Sequence, residues 1–327
     1  MDRAHPSFPP PSITVIGDIG VDHVMGLVTD WPRVGTETLM DRAELRAGGS
    51  GGNAALALRH LGVGARLVSA VGDDDFGAWL ARQFNGLDCA FERCALPTTV
   101  SIGVMHDCGE RSFLTTRGHL EAMSVDHVRA SLKPAAAPRA LALLSGPFLL
   151  RELRPHYPAL IAELGRLGHE VALDTGWPAE GWSDALRAEV RAWIAAVDHL
   201  LINELEAQSL TRLDDVDAAF AALQTWLKPG ATLVMKTGPR GAVGAQAGRV
   251  ERVPSASAAI FDTIGAGDAF NAGYLAARAR GDALPAALAT GCRAAVAILT
   301  RFPRHGIQPG ELARCLSPQT SNKETAA

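Results

Sequence analysis

The 327-residue chain is poor in aromatic residues, at 6%, and holds only five cysteines. Cys89, Cys94, Cys108, Cys292 and Cys315 are odd in number, and their spacings fit no zinc pattern. Three of them fall between positions 89 and 108, which admits a metal or redox reading, but small buried thiols are the plainer account. There is no long basic run and the formal net charge is −4, which argues against nucleic acid as a partner and against diffuse attraction to acidic membranes. An anionic substrate must then be held by local amides and cations. No apolar run reaches the length of a membrane span. Residues 1–12 are proline-rich and lack the apolar region of a signal peptide, so the expected location is a reducing cytoplasm. Two nucleotide-binding motifs are also missing. Without Gly-x-x-x-x-Gly-Lys-[Ser/Thr] the chain is not a P-loop kinase. Without Gly-x-Gly-x-x-Gly after the first apolar run, a dinucleotide-binding fold is disfavoured.

What is present is a 47% hydrophobic chain with a repeating order of short apolar run, loop and helix. That order predicts an α/β fold, with a mostly parallel central sheet and helices on both faces. Strands are expected at 13–16, 65–71, 139–145, 170–174, 199–202 and 232–236, with a hairpin over 243–252. Residues 36–46 and 100–116 differ. They alternate weakly, carry charge, and flank a core helix, so they read as a small separate sheet inserted in one domain spanning 12–316. The tails at 1–11 and 317–327 are expected to be disordered. Asp73, Asp74 and Asp75 invite a metal, but one of them capping the helix that follows is the simpler reading.

The chain is organised around Asp262-Thr263-Ile264-Gly265-Ala266-Gly267-Asp268-Ala269-Phe270. Helical spacing over 269–280 places this stretch where a loop becomes a helix. The first amides of a helix lack backbone partners and sit at the positive end of its dipole. The amides of Gly265, Ala266 and Gly267 can therefore hold an anion, most naturally a phosphate. Asp268 would repel that anion, so it needs another task, and accepting a proton from an attacking hydroxyl is the natural one. The plain alternative is an acid in a first helical turn, stabilised by the dipole.

These residues resemble the C-terminal signature of the ribokinase/PfkB family of carbohydrate kinases, Asp-Thr-x-Gly-Ala-Gly-Asp-x-Phe. The family's N-terminal signature, Gly-Gly-x-x-x-Asn before a small-residue helix and Leu-Gly, is matched by Gly48, Gly49 and Asn53, then Leu61-Gly62. The resemblance runs from about Ile13 to Pro309 and implies a ribokinase-like fold whose small sheet is a lid over the sugar and often pairs with another subunit's lid. It implies ATP and Mg²⁺ as cofactors, a sugar as acceptor, Asp268 as catalytic base and the Gly265, Ala266 and Gly267 amides as anion hole. Asp22, Gly48, Gly49 and Asn53 would bind the substrate. Thr237, Gly238 and Gly241 would contact the nucleotide. Asn203 and Glu206 form the family's Asn-x-x-Glu, tied to magnesium and phosphate, with Glu206 reaching the metal through water. The same pair is also a complete capping box.

Asp262 matches an aspartate that, in relatives binding a monovalent cation such as K⁺, joins backbone oxygens from the signature loop and the loop near His305. Ser50 stands where several phosphosugar and ribose kinases carry lysine, a departure that leaves the acceptor open. Asp18 and Asp174 fall at strand ends, where open α/β sheets bind ligands, yet each could equally cap a turn. Alanines around Ala294 would let adenine lie close, or simply pack helix on sheet. Two rival readings remain: a nucleoside kinase of the same superfamily, and a non-catalytic sugar-binding protein on the kinase fold.

Overall fold

The computed structural model describes residues 12–107, 109–304 and 306–317. The expected tails at 1–11 and beyond Ser317 lie outside the described residues, as do His305 and Cys108 of the expected lid turn.

Short runs buried on both faces form the centre of a nine-stranded sheet. Its order is β13 (Arg249–Val253), β12 (Ala242–Gln246), β11 (Thr232–Lys236), β10 (His199–Asn203), β9 (Glu170–Asp174), β8 (Leu141–Ser145), β1 (Ile13–Gly17), β4 (Ala65–Gly72) and β5 (Asp88–Cys94). From β11 to β5 every pairing is parallel, while the β11–β12–β13 hairpins close one edge antiparallel. Parallel strands need helical crossovers, which cover both faces and explain why these strands read as apolar runs rather than alternating ones.

One face packs on α1 (Ser50–His60), α2 (Asp75–Gln83), α8 (Ala266–Ala279) and α9 (Leu284–Leu299), through Leu58, Leu80, Phe270 and Leu288. The other packs on α3 (Val125–Ser131), α4 (Tyr157–Arg166), α5 (Asp184–Ile194), α6 (Glu204–Thr211) and α7 (Val216–Trp226), through Val128, Tyr157, Trp193, Leu210 and Phe220. Successive residues of a strand serve opposite faces. Val15 joins the first core and Ile16 the second.

A separate four-stranded sheet has the order β3 (Arg42–Gly48), β2 (Gly20–Val28), β6 (Val100–His106) and β7 (Arg111–Thr115). The sequence located β6 and β7 but misplaced the rest. Residues 36–41 carry no regular structure, and β3 begins at Arg42. The stretch after β1 is not simply a loop, because Gly20–Val28 crosses into the small sheet, parallel to β6. Its burial alternates from Asp22 to Val28, but the sequence hides this, because the inward row includes Asp22 and Gly26 while Met25 and Leu27 lie on the other face.

Local expectations elsewhere resolve into named contacts. Asp74, rather than Asp75, caps α2, accepting from the Gly77 amide at 2.7 Å and the Thr98 amide at 2.7 Å. Cys94, Cys292 and Cys315 are buried free thiols and Cys89 is half-buried. Ala294 packs in the α8–α9 seam against Gly273, so it belongs to helix packing rather than to an adenine surface.

Candidate active site

The carboxyl ends of β1, β9, β10 and β11 meet the N-termini of α1 and α8, and Asp18, Asn53, Asp174, Lys236, Asp268 and Asn271 gather there. Both helices start on glycines that offer no side-chain cap, Gly49 and Gly265. Their free amides are used differently. At α1 the Asp18 carboxylate accepts from the Gly51 amide at 3.1 Å and also from Ser50. Burial pushes Asp18 up to about 6, and those amides oppose the shift. Asp18 is thus an internal anion for α1. At α8 no side chain plays that part. Gly265 takes φ 75°, a left-handed conformation that glycine adopts without a Cβ penalty, and α8 begins with Ala266. The amides of Gly265, Ala266 and Gly267 are available to a ligand.

Asp268 lies in the first turn of α8, half-buried, and its Oδ2 accepts from Asn53 Nδ2 at 3.0 Å. This bond ties α8 to α1 and links the two signatures. Asp268 is held well above the usual carboxylate range, by burial first and then by the charge of Asp174. Lys236 and the Asn53 bond pull the other way.

Three residues without an assigned role in the sequence reading complete the cluster. Lys236, at the end of β11, places Nζ 2.9 Å from Asp174 Oδ2 and 3.4 Å from Asn271 Oδ1. Asn271, one turn beyond Asp268, also donates to Asp174. A methyl group on Gly267 would lie 3.4 Å from Lys236 Nζ, so the ammonium sits beside the open amides. Burial opposes the charge on Lys236, but Asp174, Glu206 and Asp268 outweigh it and hold the ammonium above its usual value. Asp174 is therefore the partner of a buried cation, and its Oδ1 also caps a turn from Gly176 at 3.0 Å. The signal available in the sequence was position: Asp174 and Lys236 both end strands at the ligand edge of an open α/β sheet.

Asn203 and Glu206 form both bonds of a capping box at the start of α6, at 2.8 and 3.0 Å. Glu206 is buried and pushed up to about 7, by burial first and then by Asp174. Asp174, Glu206 and Asp268 surround a single ammonium, so carboxyl groups outnumber cations in the cluster. No group of three or more metal-ligating side chains exists among the described residues. This donor set fits Mg²⁺, which keeps its waters and is held by one or two carboxylates together with substrate phosphates.

Asp22 is on β2, buried, in the lid sheet rather than on a loop of the central sheet. Burial pushes it up to about 7, Arg46 opposes that shift, and Asp18 and Asp262 add to it. A methyl group on Gly48, the last residue of β3, would lie 2.0 Å from Asp22 Oδ2, so only glycine leaves room for the carboxylate. Thr237 is buried, and Gly238 opens a short 3-10 turn ending at Arg240. Gly241 closes that turn, its carbonyl accepting from the Thr237 amide at 2.9 Å. Asp262 faces Arg46 Nη1 at 2.8 Å and Arg304 Nη2 at 3.1 Å.

A family model for the pfkB family carbohydrate kinases matches residues 11–303. The chain belongs to this family. Among curated PfkB-related proteins, it is 27% identical to the ribokinase of Haemophilus influenzae, over 89% of this chain and 92% of that one. It is 28% identical to a fructokinase of Klebsiella pneumoniae, over 70% of this chain and 76% of that one. The structure of Arabidopsis thaliana ribokinase complexed with ribose and ATP superposes with a TM-score of 0.74 at 20% identity, over 95% of this chain and all of that one (100%). Adenosine kinase of Sinorhizobium meliloti gives 0.73 at 22% identity, over 94% of this chain and 98% of that one. The fold is ribokinase-like, and this PfkB protein is a carbohydrate kinase. Among its described residues no helix is long and apolar enough to cross a membrane.

Proposed function

We propose that this carbohydrate kinase moves the γ-phosphate of ATP to a hydroxyl of a sugar or sugar derivative, with Asp268 as general base and the Gly265, Ala266 and Gly267 amides as anion hole. The observation that carries this reading is the contrast between two helix starts. The amides of α1 are occupied by Asp18, whereas those of α8 are uncapped beside Asp268 and Lys236.

Asp22 and the backbone at Gly48 and Gly49 hold the acceptor from the lid side, with one hydroxyl aimed at Asp268. Asn53 orients the base through its amide nitrogen and keeps its carbonyl oxygen for the sugar. Asp268 takes the proton as the hydroxyl attacks phosphorus. The α8 amides, helped by Lys236, stabilise charge on the transferring group. Thr237, Gly238 and Gly241 line the nucleotide's path. Glu206 and Asn203 would hold Mg²⁺, which would supply positive charge against the phosphates.

The outward face of the lid carries three leucine and isoleucine side chains in one cross-strand row that His23 interrupts: Leu45, His23, Ile102 and Leu114 are successive partners. Leu45, Ile102 and Leu114 are 40%, 36% and 57% exposed. We infer a homodimer formed through this face.

The test is ADP production from ATP and Mg²⁺ with a panel of hexoses, pentoses and nucleosides. A sugar that drives ADP release supports the proposal. Turnover on nucleosides alone would favour the nucleoside-kinase rival, and no acceptor-dependent ADP with any compound would favour a non-catalytic binding protein.

A further inference from the structure

Asp262 precedes the open amides by three residues, and its surroundings bear on how the signature loop is held. A bound monovalent cation needs several oxygens with lone pairs free to face it. Among the described residues, the oxygens of Asp262 and Ile264 already have donors. Arg304 Nη2 donates to the Asp262 carbonyl at 2.8 Å and lies 3.1 Å from its Oδ2. Arg304 Nη1 donates to the Ile264 carbonyl. Arg46 Nη1 donates to Asp262 Oδ2 at 2.8 Å, and the Ile264 amide takes Oδ1 at 2.7 Å. Glu44 completes the set, facing Arg46 at 3.5 Å and accepting from the Arg304 amide at 2.7 Å.

The ion pairs are buried. Arg46 and Arg304 face Glu44 and Asp262, the Asp22 carboxylate is near enough to act on both arginines, and the side chains of Arg46, Glu44, Asp262 and Arg304 are 6%, 2%, 4% and 10% exposed. A further cation in this buried space would face two positive charges and would have to compete with Arg46, Arg304 and the Ile264 amide for the Asp262 and Ile264 oxygens. Burial and the neighbouring Arg46 pull Arg304 down to about 10, which still leaves it charged at neutral pH. Arginine suits the task because its planar fork can bridge several oxygens at fixed angles.

We propose that Arg304 and Arg46 take the place of a monovalent cation, holding the Asp262–Ile264 turn and so the aim of the α8 amides, and that this enzyme neither binds nor needs K⁺. Both are positioning residues: they act on the loop backbone, not on the reacting atoms. The inference rests on the kinase reading of the signature loop, but binding of K⁺ can be read without catalysis.

The experiment compares KCl with tetramethylammonium chloride at equal ionic strength, on the wild-type protein and on Arg304→Ala, Arg46→Ala and Arg304→Lys. The melting temperature without nucleotide reads binding, since a ligand of the folded state raises it. ADP production with an accepted sugar reads function. Wild type is expected to melt alike in both salts and to turn over within about twofold, well below the roughly 5–150-fold effects of a coupled ligand. Arg304→Ala and Arg46→Ala are expected to lose activity in tetramethylammonium and to regain at least about tenfold of it in KCl, with a K⁺-specific rise in melting temperature. Arg304→Lys, which keeps one charge, should respond to K⁺ less than the alanine variant. A saturable, K⁺-specific stabilisation or activation of wild type would overturn the proposal even if no variant folds. So would an alanine variant that is fully active and indifferent to both salts. Absence of ADP with every sugar would remove the kinase reading, and the melting data would still decide whether K⁺ binds.

Discussion

Asp22 and Asp268 show how much burial governs single residues here. Asp22 has an ordinary value of 3.8 and is pushed up to about 7 in the fold. Because the folded value is the higher one, the folded chain binds the extra proton. The stability tied to that proton is fully present below pH 3.8 and is lost as pH rises through about 7. The expected outcome is that the ligand-free protein melts at a lower temperature at pH 8 than at pH 6, and that Asp22→Asn flattens this slope while raising KM for the sugar. A variant with an unchanged pH slope would refute the burial account of Asp22. At this scale the sequence was most informative where chemistry is written in consecutive residues. Gly265 and Gly267 could be singled out because a helix start has unpartnered amides whatever else surrounds it, and Asp268 because the nine residues from Asp262 to Phe270 match the family signature. Asn271 and Arg46 could not, and Lys236 could be placed at a strand end but not paired. Lys236 and Asp174 are 62 positions apart, and Asp262 and Arg46 are 216 apart, so their pairing exists only after the sheet and lid are assembled.

Elements with strong local signals were legible in the chain. The capping box at Asn203 and Glu206, the glycine stop at Gly62 and the buried runs of the central sheet each follow from a short-range rule. β2 was not legible, because its inward row includes Asp22 and Gly26 while Met25 and Leu27 lie on the other face, so residue polarity does not follow the alternation of burial. The capping box also leaves one question that an element-level substitution answers. Glu206→Gln keeps an acceptor for the Asn203 amide, so α6 should stay capped and the melting temperature should hold or rise. If Glu206 also serves magnesium, the Mg²⁺ concentration needed for half-maximal turnover should increase by about 10–100-fold. An unchanged magnesium requirement would leave Glu206 as a cap and nothing more.

For the molecule as a whole, the alternation of strand and helix was enough to predict a parallel sheet with two covered faces, since crossover connections impose that arrangement. The lid is a different case. It is built from β2, β3, β6 and β7, which come from two separated parts of the chain, so neither its order nor its outward row of Leu45, Ile102 and Leu114 could be read from local pattern. Its proposed role as a dimer surface has a direct test by light scattering coupled to size exclusion. The native chain is expected to elute at twice its 34.4 kDa mass, and Leu114→Asp to shift it toward monomer. A charged side chain is disfavoured in the core of an interface, where it must lose water without gaining a partner. A monomeric wild type would end the dimer proposal without touching the active site.

Proton removal by Asp268 beside uncapped amides is the central step, and single-turnover transfer by Asp268→Asn measures it directly. The substitution keeps the shape of the side chain and an oxygen for Asn53 to bond, but removes the proton acceptor. The predicted result is a fall in the rate of phosphoryl transfer of about 10²–10⁴-fold, with ATP binding retained. Near-normal transfer by the variant would contradict it.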